Sequence, residues 1–474
     1  MAKGHPVLTL LIAGLLLSGC SDADSLGGVP AFESATALAK RIRTGQITSR
    51  QLLEHYLERI ERFDGELGAV VAMDVDAARR RADSADEALR NGRSWGRLHG
   101  LPITIKDSFR VVGMPTTAGE FPDLLPEENA VAVQRLIDEG AIVFGKTNVP
   151  SLLSDWQTFN DIYGTTSNPW DTARTPGGSS GGAAVAVAAG FSAFELGSDI
   201  AGSIRIPSGF VGVYGHKPTH GIVPLAGHIP PVPPAMRVPG VPPADIAVAG
   251  PIARSVDDLE LLLDVLTADG GETGPVDLPP ARHARLDAYR VAVWLDDPAL
   301  EMDDRVRAVL DDAVAALRDA GVEIDMMARP GFELTSYFRT YFRILAGRLT
   351  GSVVPPEAVA EARRLIAAWD AFFSDYDVLL CPVTPVTAFP HDHDLQTRRI
   401  VVNGQDRPYV DLPVWSSLAT LAGLPSTAVP VGTSDEGLPV GIQILGPPLA
   451  DRTTLDFARR LTKHVGGYEP PPGH

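Results

Sequence analysis

Hydrophobic residues recur at helical spacing near the start of the chain, behind a short polar turn. Thr48 and Gln51 have the Ser/Thr-x-x-Gln spacing of a capping box, which supplies hydrogen bonds to the first turn of a helix. After this cap, apolar side chains recur every three or four positions, at Leu52, Leu53, Tyr56, Leu57 and Ile60. Because this period places them on one face, the pattern predicts an amphipathic helix.

Short apolar runs then alternate with helical segments. Residues 101–105 (LPITI) and 141–144 (AIVF) are predicted to be buried strands, with residues 131–139 a helix between them that stops at Gly140. The same order of strand, helix and strand returns in YRVAVWL, DDRVRAVLDDAVAALRDAG and VEIDMM. Strands and helices at this spacing form crossover units around a largely buried sheet. The chain is therefore predicted to have an α/β fold.

The composition is that of a large globular protein. The chain has 474 residues, of which 45% are hydrophobic and 21% charged, and this is ample for one large core or two ordinary domains. The formal net charge is -18, so the chain lacks the basic surface that nucleic-acid binding requires. No dinucleotide-binding glycine motif occurs in the sequence. We therefore expect no cofactor and no nucleic-acid partner.

The N-terminal residues have the pattern of an export signal. Lys3 precedes a short apolar run from Val7 to Leu17, and the sequence LSGC that ends at Cys20 resembles a bacterial lipobox. We expect residues 1–19 to be a signal peptide, Cys20 to be the first mature residue and to carry lipid, and residues 20–30 to be a tether. On this interpretation the protein is an exported, membrane-anchored lipoprotein of the bacterial cell envelope that faces the periplasm or the exterior. An ordinary cleaved signal is the alternative.

Other segments carry residue types that have both structural and functional explanations. The proline-rich residues 229–243 are predicted to form a stiff surface loop, with a polyproline ligand for another domain as the alternative. The sequence HDHD, from His391 to Asp394, has metal-ligating side chains, but adjacent ligands seldom close a tetrahedral site, so no metal site is predicted. Cys381 ends an apolar run and is expected to be a packing residue, and residues 468–474 a disordered tail.

Two serines between two glycine pairs lie in the stretch TPGGSSGG, residues 175–182. A flexible linker would continue with polar residues, whereas this chain continues with alanines and valines, which predict a helix. After a further predicted strand, Ser203 lies in another glycine-flanked turn, GSDIAGSIRIP. Lys106 follows the predicted strand at 101–105, where catalytic groups of α/β proteins tend to lie. Each feature alone has a structural explanation, but the intervening helix and strand could bring both serine turns to one edge of a sheet.

In combination, these three features resemble the motifs of the amidase signature hydrolases. The match comprises Lys106, the residues Gly177 to Gly182 and the residues Gly197 to Pro207, with similar flanking stretches from about residue 35 to 465. The resemblance implies a single large domain, residues 31–467, with a mixed β-sheet core surrounded by helices. It also implies an amidohydrolase that acts on a small linear amide, with an ester as a further class of substrate.

The resemblance also implies a role for each matching residue. Ser203 corresponds to the acylated nucleophile, Ser179 to the bridging serine and Lys106 to the base of a Ser-Ser-Lys triad. The residues Asp199, Arg205 and Ser180 are expected to support this site, with a surface ion pair as the alternative for Asp199 and Arg205. The backbone N–H groups expected to form the oxyanion hole are those of Ile200, Ala201, Gly202 and Ser203.

The proposed chemistry places two demands on these residues. A lysine is a base only when neutral, and an exposed lysine has a pKa of ~10.4, so Lys106 needs burial or a positive potential, such as the start of the helix after Ser180. The second demand concerns Ala201, which stands where the family usually has glycine. If that position requires positive φ, alanine costs on the order of ~1 kcal/mol, and its methyl narrows the pocket.

Three other functions are compatible with parts of the pattern. The residues Gly177 to Gly181 also fit G-x-S-x-G, the nucleophile elbow of α/β-hydrolases, although a turn-rich stretch precedes them where that motif needs a strand. The glutaminase component of a tRNA-dependent amidotransferase belongs to the same family, but its chemistry is cytosolic, which conflicts with an export signal. The third is a catalytically silent, membrane-tethered binding protein that has kept the amidase fold.

Overall fold

The computed structural model describes Met1 and residues 30–230, 246–271, 274–350, 352–394 and 396–474. The predicted signal peptide, the predicted lipidation site Cys20 and most of the proline-rich segment lie outside the described residues. Among the helices of the described ranges, none combines the length and the apolar character needed to cross a membrane.

Helices surround the sheets of the fold. In chain order they are α1 (Ala35–Arg43), α2 (Ser49–Leu67), α3 (Val75–Arg90), α4 (Val131–Asp138), α5 (Gly181–Ala188), α6 (Arg205–Val211), α7 (Val256–Thr267), α8 (Asp304–Asp319), α9 (Leu334–Thr350), α10 (Pro356–Asp375), α11 (Ser417–Leu421) and α12 (Asp451–Val465). Short 3-10 helices occupy Ser151–Leu153, Leu286–Ala288 and Tyr409–Asp411.

The strands form one large sheet, one small sheet and two short hairpin-like pairs. In chain order they are β1 (Val70–Met73), β2 (Pro102–Lys106), β3 (Ile142–Thr147), β4 (Phe159–Asn160), β5 (Gly164–Thr165), β6 (Glu195–Asp199), β7 (Tyr214–Lys217), β8 (Val248–Ala253), β9 (Val291–Val293), β10 (Ile324–Asp325), β11 (Val378–Pro382), β12 (Arg399–Val402), β13 (Gln405–Pro408), β14 (Ser426–Thr433) and β15 (Pro439–Leu445). The large sheet has the strand order β10-β9-β11-β15-β14-β7-β8-β6, and the small sheet has the order β1-β3-β2.

Both sheets contain the crossover units that the sequence predicts. Strands β2 and β3 pair in parallel with α4 between them along the chain, and β9 and β10 pair in parallel with α8 between them. Strands β9 and β11 of the large sheet also pair in parallel, whereas the pairs from β11/β15 to β8/β6 are antiparallel, so this sheet is mixed. The predicted α/β fold, a mixed sheet surrounded by helices, is confirmed. The chain nevertheless divides its strands between two sheets, and β2 lies beside β6 where they meet.

Helix α2 begins with the predicted capping box. The Thr48 side chain accepts a hydrogen bond from the Gln51 N–H at 3.0 Å, and the Gln51 side chain accepts one from the Thr48 N–H at 2.9 Å. These two bonds satisfy N–H groups that the first turn of a helix leaves without partners. The helix ends at Gly68, in the left-handed conformation typical of a C-terminal glycine.

Helix α5 lies in the interior of the molecule. Every residue from Gly181 to Ala188 is buried, and the helix packs against β2 and β3 of the small sheet and against β6 and β8 of the large sheet. Its apolar surface all round suits this position, since no face meets water. The residues at the start of α5, Ser179 and Ser180, therefore lie in the protein interior, near the ends of β2 and β6.

The C-terminal residues pack onto the fold, contrary to the disordered tail that the sequence predicted. The Tyr468 hydroxyl donates to the carbonyl of Ala188 at 2.8 Å, and Pro471 is buried. The His474 ring lies edge-on to Phe63 of α2, with 5.5 Å between ring centroids. The prediction was wrong because it considered only the proline content, whereas the aromatic and proline rings have a surface to pack against.

Candidate active site

The amine of Lys106, the last residue of β2, lies where the two serine turns meet. Its side chain is fully buried. Nζ is 2.8 Å from Ser179 Oγ, 2.7 Å from Ser180 Oγ and 3.0 Å from Ser198 Oγ. An ammonium group has three N–H donors, and each of these hydroxyls can accept one of them. The structure thus brings Lys106 and Ser179 together, as the sequence predicts, and adds Ser198 as a further partner.

Burial lowers the pKa of Lys106 to about 7, because the ammonium form loses its hydration. The carboxylate of Asp199 and, after it, the carboxyl of Glu195 act in the opposite direction. Burial also raises the pKa of Glu195 to about 8, so at neutral pH this carboxyl is mostly protonated and Asp199 is the effective negative charge. The predicted need for a neutral lysine is therefore met mainly by burial, and a large fraction of Lys106 is a free amine at neutral pH.

Close backbone approach shapes the turn that carries Ser179. A Cβ atom on Gly178 would lie 2.7 Å from the carbonyl oxygen of Asp155, so this position accommodates glycine without a clash. The peptide bond between Gly178 and Ser179 is cis. Ser180 is the N-cap of α5, and its N–H donates to the carbonyl of Ser203 at 3.1 Å. This hydrogen bond joins the first serine turn directly to the second.

A buried ion pair holds the turn of Ser203 in place. Arg205 donates to both carboxylate oxygens of Asp199 at 3.0 Å, and neither side chain is exposed. The remaining guanidinium N–H groups donate to the Ser416 carbonyl, the Gln443 side chain and the Thr420 hydroxyl. Although burial opposes ionisation, Arg205 holds the pKa of Asp199 at about 2. The pair is thus an interior structural element, and the alternative of a surface ion pair is wrong.

The same carboxylate changes the predicted set of oxyanion donors. The Gly202 N–H donates to Asp199 Oδ1 at 2.9 Å, and the Ile204 N–H donates to Oδ2 at 3.1 Å. Gly202 was predicted to donate to the substrate, and in this structure its N–H is already committed to Asp199. Among the described residues, the N–H groups of the other three predicted donors have no acceptor: Ile200, Ala201 and Ser203.

The carbonyl groups of this loop are fixed by two aromatic side chains. The Tyr341 hydroxyl donates to the Ile200 carbonyl at 3.0 Å, and the Trp156 indole N–H donates to the Ala201 carbonyl at 2.8 Å. The positive φ of the loop, +89°, occurs at Gly202 and not at Ala201. The expected backbone strain at Ala201 is therefore absent, and what this alanine adds to the buried loop is one methyl group.

Three groups around Lys106 were not predicted. Ser198 belongs to the motif of Ser203, but its side chain was not identified as a partner of the lysine. The buried Glu195 carboxyl accepts a hydrogen bond from the Thr104 hydroxyl at 2.6 Å. His228 Nε2 lies 2.9 Å from Ser198 Oγ. The polar residues in the buried strand ELGSD were the available sequence signal for Ser198 and Glu195, whereas nothing local marks His228.

The structure also bears on the other interpretations of these motifs. No strand directly precedes Ser179, since the last strand before it is β5, so the nucleophile elbow of an α/β-hydrolase is not formed. His393 stacks on Phe159 at 3.9 Å between ring centroids, and the described residues contain no group of three or more side chains arranged to hold a metal. Cys381 is fully buried in β11 among apolar side chains, as predicted for a packing residue.

A cavity of about 440 Å³ lies along one face of α9. Its lining combines apolar side chains with two arginines and one aspartate: Leu300, Thr335, Phe338, Arg339, Phe342, Arg343, Ala346, Val410 and Asp411. The other face of α9 carries Tyr341, which holds the carbonyl of Ile200. One helix thus contributes both a wall of this cavity and a support of the Ser203 loop.

Comparison with known proteins identifies the family. The family model described as Amidase matches residues 51–347 and 342–455. This chain belongs to the amidase family. The amidase signature resemblance seen in the sequence is therefore confirmed, and the protein is a hydrolase of that family.

Relatives with curated sequences extend over nearly the whole chain. AmiB2 of Mycobacterium bovis, named as a presumed amidase, is 34% identical over 465 residues, which cover 91% of this chain and 96% of that protein. A glutamyl-tRNA(Gln) amidotransferase component of Chloroflexus aurantiacus is 31% identical over 493 residues, with the same coverage of 91% and 96%. The family therefore includes proteins named for different reactions.

Solved structures show the same fold. A crystal structure of an amidase superposes with a TM-score of 0.77 at 30% identity, covering 92% of this chain and 100% of that one. A 6-aminohexanoate cyclic dimer hydrolase superposes with a TM-score of 0.78 at 26% identity, covering 94% and 99%. A bacterial aryl acylamidase reaches 0.79 at 23% identity, covering 94% and 99%, and at this identity the likeness concerns the fold.

Proposed function

We propose that this amidase family member hydrolyses a small carboxamide through an acyl-enzyme on Ser203. The observation that carries the proposal is the buried Lys106 amine, 2.8 Å from Ser179 Oγ, with a pKa lowered to about 7 by burial. A neutral amine at this distance can take the proton of Ser179. The Ser180 N–H donates to the Ser203 carbonyl, so the two serine turns adjoin, and in the proposed reaction Ser179 takes the proton of Ser203.

In the first half-reaction, Ser203 Oγ attacks the carbonyl carbon of the amide as its proton passes through Ser179 to Lys106. The negative charge that develops on the substrate oxygen is stabilised by the N–H groups of Ile200, Ala201 and Ser203, each worth ~3 kcal/mol when aimed at the oxyanion. The proton on Lys106 then returns through Ser179 to the leaving nitrogen, and the C–N bond breaks. Ammonia or an amine departs, and the acyl group stays on Ser203.

In the second half-reaction, water replaces the amine. A water molecule transfers a proton along the same path and attacks the acyl carbon, and Ser203 leaves with that proton. An ester reaches the same acyl-enzyme with a better leaving group, so esters belong to the proposed substrate range. The acid product and the free triad complete the cycle without a cofactor.

Labelling with a fluorophosphonate, a probe for activated serines, tests this proposal. We expect an adduct on Ser203 in the wild type, no adduct in Ser203→Ala, and much slower labelling in Ser179→Ala and Lys106→Ala. Ser434→Ala is the matched control, since Ser434 is also a buried serine but lies in the turn between β14 and β15. If the wild-type protein is folded and gives no adduct on Ser203 between pH 6 and 10, the silent binding protein becomes the better interpretation.

A second candidate function is glutamine hydrolysis, favoured by the 31% identity to the Chloroflexus aurantiacus protein named for glutamyl-tRNA(Gln) amidotransferase. Release of ammonia from glutamine would be compared with release from a panel of simple aliphatic and aromatic amides. Turnover of glutamine alone would favour this second candidate, and turnover of the simple amides would favour the linear amidase.

We also propose, from the sequence alone, that Cys20 carries lipid and that the protein is anchored at the cell envelope. Growth of an expressing bacterium with an alkyne fatty acid, followed by detection of labelled protein, tests this directly. Label on the wild type that disappears in Cys20→Ser supports the anchor. A protein that is exported and cleaved but unlabelled would support an ordinary signal peptide.

A further inference from the structure

The segment after β7 returns to the active site and places His228 there. The Ile229 N–H donates to the Ser108 carbonyl at 2.7 Å, and the Arg110 N–H donates to the Gly227 carbonyl at 3.0 Å. These bonds pair the backbone around His228 with the residues that follow Lys106. The imidazole also lies edge-on to the Phe109 ring, with 4.8 Å between centroids. The His228 ring is therefore positioned by the backbone pairing with residues 108–110 and by the contact with the Phe109 ring.

His228 reaches Lys106 through one hydroxyl group. Nε2 of the imidazole is 2.9 Å from Ser198 Oγ, and the same oxygen is 3.0 Å from Lys106 Nζ. The lysine is fully buried, whereas His228 is partly exposed. The Ser198 hydroxyl has one proton, which it can donate either to His228 or to Lys106. If it donates to His228, it can only accept a hydrogen bond from Lys106.

The neutral amine of Lys106 has two N–H donors and one lone pair, but three serine hydroxyls surround it. In the proposed reaction the lone pair must face Ser179. Ser180 is suited to accept from the amine, because its own hydroxyl lies 3.3 Å from the Ser198 carbonyl and can donate there. Ser198 accepts from the amine only if its own hydroxyl proton points to another acceptor, and among the described residues Nε2 of His228 lies at the distance of such an acceptor, 2.9 Å.

We propose that His228 is a positioning residue of this site, which accepts the Ser198 hydroxyl proton at Nε2 and thereby directs the lone pair of Lys106 to Ser179. The inference rests on the proposed role of Lys106 as the base. Without an acceptor at position 228, the Ser198 hydroxyl donates to the lysine nitrogen and competes with Ser179. The acidic groups of β6 that act on the pKa of Lys106 are Asp199 and Glu195, and replacement of His228 leaves both residues in place.

The test compares two replacements of His228, one that keeps a hydrogen-bond acceptor near Ser198 and one that removes it. His228→Gln keeps an acceptor oxygen near Ser198, whereas His228→Phe removes it and keeps a planar ring against Phe109. Fluorophosphonate labelling of the full chain is measured at saturating probe, so that the rate constant of the chemical step is separated from probe binding. We expect His228→Phe to lower this rate constant roughly tenfold or more, and His228→Gln to restore most of it.

Two further variants separate positioning from damage to the fold. His220→Phe replaces another histidine of the segment between β7 and β8 and controls for the added ring. The double variant Ser198→Ala with His228→Phe tests whether His228 acts through Ser198, since it should then label no more slowly than Ser198→Ala alone. Thermal unfolding of each variant checks that the protein remains folded.

The outcomes distinguish this inference from the proposed function. If Lys106→Ala abolishes labelling but His228→Phe labels at the wild-type rate, the lysine base stands and the role of His228 is refuted. If His228→Gln is as slow as His228→Phe while both stay folded, the acceptor argument is refuted as well. If Lys106→Ala labels as fast as the wild type, the proposed function itself fails.

Discussion

The protonation of Lys106 makes the sharpest quantitative prediction for this protein. With a pKa of about 7, the neutral fraction of the amine is about 10/11 one pH unit above the pKa and about 1/11 one unit below it. The labelling rate of Ser203 should therefore fall about tenfold between pH 8 and pH 6. The rate rises with pH because only the neutral amine of Lys106 is a base. Labelling is therefore fast above the pKa of Lys106 and is lost as the lysine gains its proton.

Lys106→Arg extends this prediction. A guanidinium stays protonated at every accessible pH, so this variant should label at least ~100-fold more slowly than the wild type from pH 6 to pH 10. The assay is the fluorophosphonate rate constant measured across this range, with circular dichroism at each pH as a control for folding. A wild-type profile that rises only above pH 9, as for an exposed lysine, would contradict the proposed effect of burial. Rapid labelling of Lys106→Arg would contradict the role of the lysine as base.

Further predictions concern the loop of Ser203. Arg205→Leu leaves the buried Asp199 carboxylate unpaired and should lower the free energy of unfolding by ~3–5 kcal/mol, measured by urea denaturation. Since the pKa of Asp199 is held at about 2, the stability that this group contributes should be present at neutral pH and be lost as the pH falls toward 2, measured by urea denaturation from pH 7 to 2.5. Gly202→Ala should slow labelling and destabilise the protein by ~1 kcal/mol or more, because φ is +89° and the new Cβ would lie 2.6 Å from Ser416 Oγ. Ala201→Gly should label at close to the wild-type rate, because Ala201 has no positive φ to relieve.

The sequence predicted the elements and the main chemical groups because their signals are local. Alternation of short apolar runs with helical periods gave the strands β2 and β3 and the helix between them. The glycine and serine turns marked Ser179 and Ser203, and the lysine after a buried strand marked Lys106. Each of these is a property of a few consecutive residues.

What the sequence did not predict depends on contacts between distant segments. The capture of the Gly202 N–H by Asp199 depends on the shape of the turn, which hydrophobic periodicity does not specify. The contact of His228 with Ser198 arises because two backbone hydrogen bonds pair residues 227–229 with residues 108–110. The packing of the C-terminal residues on α2 and α5 was also missed, since proline content describes the local chain and not the surface that it meets.

The partners of Arg205 have a consequence for the integrity of the chain. Lys106, Ser179 and Ser203 all lie in the N-terminal half, but the guanidinium that holds the Ser203 loop is bound by Ser416, Thr420 and Gln443. A single proteolytic cut between α10 and α11, with loss of the C-terminal piece, would remove all three of these acceptors. The larger fragment would keep every group of the proposed triad and still lack the support that shapes the nucleophile turn, so cleavage far from the serines would inactivate the enzyme irreversibly.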